Sequence, residues 1–125
     1  MFFSLYKLDI YRWNKQRSLL PLIPQLKIIK YKRICEYLRE KKSILYPLFY
    51  CWYRKIEIKY NTDIPVQTKI GKGFLIEHIG GIVINPSVII GSNCNIYNGV
   101  VIGTEKRGKR KGTPIIGNSV WIGVT

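Results

Sequence analysis

Ile84-Asn85-Pro86-Ser87-Val88-Ile89-Ile90-Gly91-Ser92-Asn93-Cys94-Asn95-Ile96-Tyr97-Asn98-Gly99-Val100-Val101-Ile102-Gly103 returns to isoleucine every six residues. Glycine or another turn-former usually follows the isoleucine, and the fifth place is small or β-branched, as in Val88, Cys94 and Val100. A period of six belongs neither to an α-helix, at 3.6, nor to an ordinary strand, at two. Working outward, Ile64, Ile70 and Ile76 keep the same count upstream, joined to the quoted stretch across a two-residue offset. Downstream, Ile116 and Ile122 resume it after the basic interruption Thr104 to Thr113. Units that recur at fixed length bury their apolar side only by stacking on one another. The expected fold is a parallel β-helix of triangular section, each unit supplying one short face and a corner. The leading isoleucines point inward and stack on those three units away, while Thr68, Val88, Cys94, Val100 and Val120 fill the rest of the interior. An isoleucine-rich β-sandwich would alternate with period two and would not demand Ile-Gly every six residues.

The texture changes near Tyr60-Asn61, which divides the chain into a basic α-helical region, 1–60, and a β-helix region, 61–125. In the first, Ile28, Tyr31, Ile34, Cys35 and Leu38 recur every three or four residues between Lys32, Arg33, Arg39 and Lys41, the pattern of an amphipathic helix. A second helix is predicted after it, with Pro47 in its first turn and Leu48, Cys51 and Trp52 as its apolar stripe. Asn61, which tolerates the left-handed conformation, ends it. Pro21 and Pro24 set apart a shorter N-terminal segment.

The 125 residues carry 21 basic and 7 acidic side chains, a net charge of +14. Hydrophobic residues make up 46%, enough for a core, so wholesale disorder is excluded. Fourteen of the basic residues lie in 1–60. The basic helices, with Trp13, Tyr31, Tyr37, Trp52 and Tyr53 among the charges, suit peripheral contact with an anionic membrane. Charge alone speaks for nucleic acid, no nucleic-acid motif is present, and no nucleic-acid partner is expected. Cys35, Cys51 and Cys94 form no CxxC pair and His78 is the one histidine, so no metal is expected. Lys7, Asp9 and Arg12 interrupt the N-terminus too early for a secretion signal, and the longest apolar run is about half the ~20 residues of a membrane span. A reduced, cytoplasmic chain is expected.

The ordered motifs Asp63-Ile64-Pro65, Lys69-Ile70-Gly71-Lys72-Gly73, Ile76-Glu77-His78, Gly81-Ile82-Val83-Ile84 and Gly99-Val100-Val101-Ile102-Gly103 resemble the serine acetyltransferases. These are left-handed β-helix acyltransferases of hexapeptide repeats, and related O-acetyltransferases of capsule and exopolysaccharide loci are equally similar. The resemblance covers Tyr60 to the end. It implies transfer of acetyl from acetyl-CoA to a small-molecule hydroxyl, in a site between subunits of a homotrimer or a dimer of trimers. His78 then matches the catalytic base, needed because a hydroxyl attacks a thioester poorly until its proton is taken. Asp63 matches the acid that orients that histidine, although a cap at the helix-to-coil junction would also use it. Glu77 stands where the family contacts the acceptor through aspartate. Gly103, Thr104 and Gly123 fall where family members bring backbone close to the cofactor arm; turning a corner would ask for the two glycines equally. Within Thr104–Thr113, Lys109, Arg110 and Lys111 suit the phosphates of CoA, a flap over substrate, or a solvated loop.

Two departures from the family pattern stand out. Serine acetyltransferases end this loop with Arg-His-Pro, whereas Gly112-Thr113 precede Pro114 here, which favours an acceptor without a carboxylate, such as a sugar hydroxyl. The sequence also ends at Gly123-Val124-Thr125, inside a hexapeptide, where the family continues through further coils that complete the acetyl-CoA site.

Overall fold

The computed structural model describes residues 2–16, 23–109 and 112–123. Pro21, Arg110 and Lys111 lie outside the described residues, as does the side chain of Trp13. Three helices come first, α1 (Phe2–Gln16), α2 (Ile23–Glu40) and α3 (Tyr46–Lys59). Nine short strands follow: β1 (Thr62–Asp63), β2 (Lys69–Ile70), β3 (Leu75–Ile76), β4 (Ile82–Ile84), β5 (Ile89–Ile90), β6 (Asn95–Ile96), β7 (Val101–Ile102), β8 (Ile115–Ile116) and β9 (Trp121–Ile122). They form three parallel sheets, β1-β4-β7, β2-β5-β8 and β3-β6-β9, the triangular parallel β-helix that the repeats predict and consistent with the left-handed form that the resemblance implies.

The pairing register puts the isoleucines in columns. Ile70 pairs with Ile90 and Ile90 with Ile116; Ile76 pairs with Ile96 and Ile96 with Ile122; Ile84 pairs with Ile102. Thr68, Val88, Cys94 and Val100 are buried beside them, as expected. Val120 is not; it is 37% exposed because it lies on the last described coil, with no coil stacked over it. Close stacking also explains one glycine, since a Cβ on Gly71 would lie 2.8 Å from the carbonyl carbon of Gly91 on the next coil.

Helix α3 carries Pro47 in its first turn, and Asn61 takes φ +51° just beyond its end. Its buried face is not that apolar stripe. Tyr53, Ile56 and Glu57 face inward, while Leu48, Cys51 and Trp52 face out. The backbone of Ile64 decides this choice. The Tyr53 hydroxyl donates to the Ile64 carbonyl at 2.6 Å, and the Ile64 N–H donates to Glu57 Oε2 at 2.6 Å. Turning the more apolar row inward would leave both backbone groups buried without a partner, which is expensive.

The helices join the coils through buried charge. Asp9 of α1 accepts from the N–H groups of Gly73 and Phe74 at 2.8 and 3.1 Å and pairs with Arg33 Nε of α2 at 2.9 Å. Arg33 also donates to the carbonyls of Ile70 and Gly71, and Lys32 to that of Thr68. Arg12 donates to the carbonyls of Gly73 and Cys94 and to the Asn95 side chain. Lys32 and Arg33, expected on a polar helix face, are therefore buried, their charges met by Asp9 and Glu36 and by carbonyls that the first coil, with no coil before it, leaves open.

Candidate active site

The coils keep strict count except at two places, and both hold residues expected at the site. Ile84 meets Ile102 after eighteen residues, three units of six; Ile70 meets Ile90 after twenty, and Ile90 meets Ile116 after twenty-six. The two extra residues fall in the corner between β3 and β4, which holds Glu77, His78, Gly80 and Gly81. The larger excess is the loop between β7 and β8, Gly103 to Pro114.

At the first corner His78 is exposed, with its ring 6.3 Å from that of Tyr97, which in turn lies 6.2 Å from the ring of Trp121. Gly123 belongs to this corner as well: a Cβ there would stand 3.5 Å from the Tyr97 ring. Glu77, adjacent to His78 in sequence, points the other way. It is 3% exposed, and its Oε1 accepts from Asn95 Nδ2 at 2.7 Å. Asn95 is in turn held by Arg12 of α1, and the Glu77 carbonyl lies 3.5 Å from the Gln25 amide of α2. The N-terminal helices thus fix the segment that presents His78.

Asp63 occupies a different place. It lines a groove of about 540 Å³ between α3 and the β1-β4-β7 sheet, together with Gly103, Asn85, Pro65 and Glu57. Arg54 lies between two carboxylates there, 2.9 Å from Glu57 and 3.4 Å from Asp63. Burial pushes the Glu57 carboxyl up to about 7, against the pull of the Ile64 N–H and Arg54. Among the described residues no hydrogen bond or ion pair joins Asp63 to His78. One chain therefore brings Asp63 to Gly103, and His78 to Glu77 and Gly123, on two neighbouring corners of the prism.

Gly103 is open, since a Cβ on it meets nothing within 4 Å. Thr104 is engaged: its hydroxyl bonds to the Gly112 carbonyl at 2.9 Å and lies 3.1 Å from the Thr113 hydroxyl. Reciprocal backbone bonds between Glu105 and Gly112, at 2.8 and 2.7 Å, close the loop into a small hairpin. Its tip exposes Lys106, Arg107 and Lys109. Arg12, Gln25, Arg54, Glu57, Asn95 and Tyr97 enter this constellation without having been singled out as site residues. Only Glu57, the one acid of α3, stands out from its surroundings in the sequence.

Serine acetyltransferase 1, chloroplastic, from Arabidopsis thaliana is 38% identical over 71 residues, 55% of this chain and 22% of that protein. The crystal structure of serine acetyltransferase isoform 3 from Entamoeba histolytica, in complex with cysteine, superposes on 98% of the chain with a TM-score of 0.74 and 28% identity. The chain is thus similar to part of the serine acetyltransferases. The Brucella abortus serine acetyltransferase in complex with coenzyme A shares the fold, with a TM-score of 0.78 at 20% identity. The chain spans about a fifth of the Arabidopsis protein and about half of the two solved chains, at 46% and 51%. No protein-family model matches it. Among the described residues no helix is long and apolar enough to cross a membrane.

Proposed function

We propose that the chain carries part of an acetyl-CoA-dependent O-acetyltransferase site of the serine acetyltransferase type. The observation that carries this reading is an exposed His78 in the corner where the repeat gains two residues, held from behind by the Glu77–Asn95–Arg12 chain. Acetyl-CoA would supply the acetyl group as a thioester. As the acceptor oxygen bonds to the carbonyl carbon, His78 takes the hydroxyl proton; the carbon–sulfur bond breaks and the thiolate is protonated in turn. Asp63 is the acid we assign to orienting the imidazole; Glu77, expected as an acceptor contact, is buried with its carboxylate on Asn95, so we assign it to holding the His78 segment instead. The chain's own residues fit CoA in one respect: the open Gly103 lies next to Thr104 and a hairpin whose exposed Lys106, Arg107 and Lys109 match its phosphates.

His78 and Asp63 occupy separate corners of one chain, and a neighbouring copy in a homotrimer would set a second corner against the first. Serine is the acceptor that the relatives' names favour. A sugar hydroxyl is favoured by the loop, where Gly112 and Thr113 are used in closing the hairpin and bring no cation for a carboxylate. The free thiols of Cys35, Cys51 and Cys94 suit the cytoplasm, where we place the reaction. Release of CoA from acetyl-CoA, measured with serine and with a panel of sugars, tests the reading. Turnover should fall ~10²–10⁴-fold in His78→Ala. Turnover that survives this change removes His78 from the role, and which acceptor supports it chooses between serine and sugar.

A further inference from the structure

Helix α3 is apolar on both sides. With Tyr53 and Ile56 turned inward, its outer face still presents Leu48, Trp52 and Ile58, at 68%, 48% and 72% exposure, and the preceding turn adds Ile44 and Leu45. Positions 45, 48, 52, 55 and 58 follow the helical repeat, so they make one continuous row along the helix. Beside it a cleft of about 360 Å³ opens toward α2, lined by Tyr31, Leu48, Phe49, Cys51, Trp52 and Lys55. The rim is basic, with Lys41, Lys42, Lys55 and Lys59 exposed along the row and the Lys30 ammonium 5.8 Å over the Tyr31 ring. The one acid of α3, Glu57, is buried on the opposite face, and the exposed Glu40 stands alone at the end of α2.

We infer that this face rests on a bilayer containing anionic lipid. Large apolar side chains, a tryptophan and a lysine border are what an interfacial helix uses, the first two entering the headgroup boundary and the last meeting lipid phosphates. The charge pattern chooses this occupant over a second copy of the chain. Two copies joined face to face through α3 would press Lys41, Lys42, Lys55 and Lys59 against their own kind, with Glu40 the one exposed carboxylate of α2 and α3 to answer them. The structure also narrows the sequence-level expectation of membrane contact: Tyr53 leaves the set because it is fully buried, and Ile44, Leu48 and Ile58 join it.

Co-flotation of the full chain with vesicles of phosphatidylcholine, with and without phosphatidylglycerol, tests this without reference to acetyl transfer. The chain should float with the anionic vesicles at low salt and much less at high salt or with neutral ones. Leu48→Asp and Ile44→Asp, both at exposed positions, should each weaken binding about tenfold or more, with an unchanged circular dichroism spectrum. Lys55→Glu should weaken it less. Absence of flotation overturns the proposal, as does binding that both aspartate variants leave intact, which would be charge adsorption elsewhere on the molecule. A concentration-dependent dimer abolished by Leu48→Asp, without flotation, would overturn it too and give the face to a second copy.

Discussion

The coils and the seam between coils and helices hold the same molecule together by opposite means. Inside the coils, Ile70, Ile90 and Ile116, or Ile76, Ile96 and Ile122, repeat one apolar contact at each level, so any one of them resembles the next. In the seam every bond is unique: Asp9 to Arg33 and to the Gly73 and Phe74 amides, Arg12 to Asn95, Lys32 to the Thr68 carbonyl. A buried ion pair adds little net stability over an apolar pair of the same volume, yet is strongly destabilising to break. The difference teaches that the coils are stable by redundancy and the docked helices by specificity.

Breaking the seam should therefore have the largest effect. Asp9→Ala leaves Arg33 buried beside an empty place and two amides without their acceptor, and should lower the unfolding free energy by about 3–5 kcal/mol in urea titration. Ile90→Ala opens a void in one level of a column and should cost about 2–4 kcal/mol by the same measurement. If the two losses came out in the reverse order, redundancy would not be what protects the coils. Tyr53→Phe removes one donor from the Ile64 carbonyl and should cost about 1–3 kcal/mol, sharpening how much of the α3 docking is polar. Glu57 adds a pH signature. Its folded carboxyl keeps a proton up to about 7, while the unfolded one releases it near 4.5, so the folded chain binds more protons in that window. Stability should fall as pH rises from about 4.5 to about 7, and Glu57→Gln should flatten this part of the curve. The smallest effect is expected from Asn61→Ala, about 1 kcal/mol, since alanine resists the positive φ at that turn.

The same contrast explains what could be read from the sequence. A six-residue period is local and repeated, so the columns, the inward Thr68, Val88, Cys94 and Val100 and the two irregular corners were legible at once. The helical spacing announced α2 and α3, but not which side of α3 would be buried, because two bonds to the Ile64 backbone outweighed the more apolar row. The seam was illegible for a related reason. Its partners lie 24 positions apart for Asp9 and Arg33 and 83 for Arg12 and Asn95, and no periodicity links such pairs. His78, Glu77 and Asp63 were singled out by motif, whereas the Asn95 and Arg12 that hold Glu77 carry no motif of their own.

The register also turns the prism edges into scales. Pro65, Asn85 and Gly103 follow the paired residues of β1, β4 and β7 and so stand one above another, as Glu77, Tyr97 and Gly123 do along the neighbouring edge. Stacked strands are ~4.8 Å apart, so each edge is graduated in steps of that size. An extended molecule laid along such an edge would be gauged in whole steps rather than continuously, and adding or removing one coil would change its reach by a single graduation while the side chains at every other mark stayed as they were.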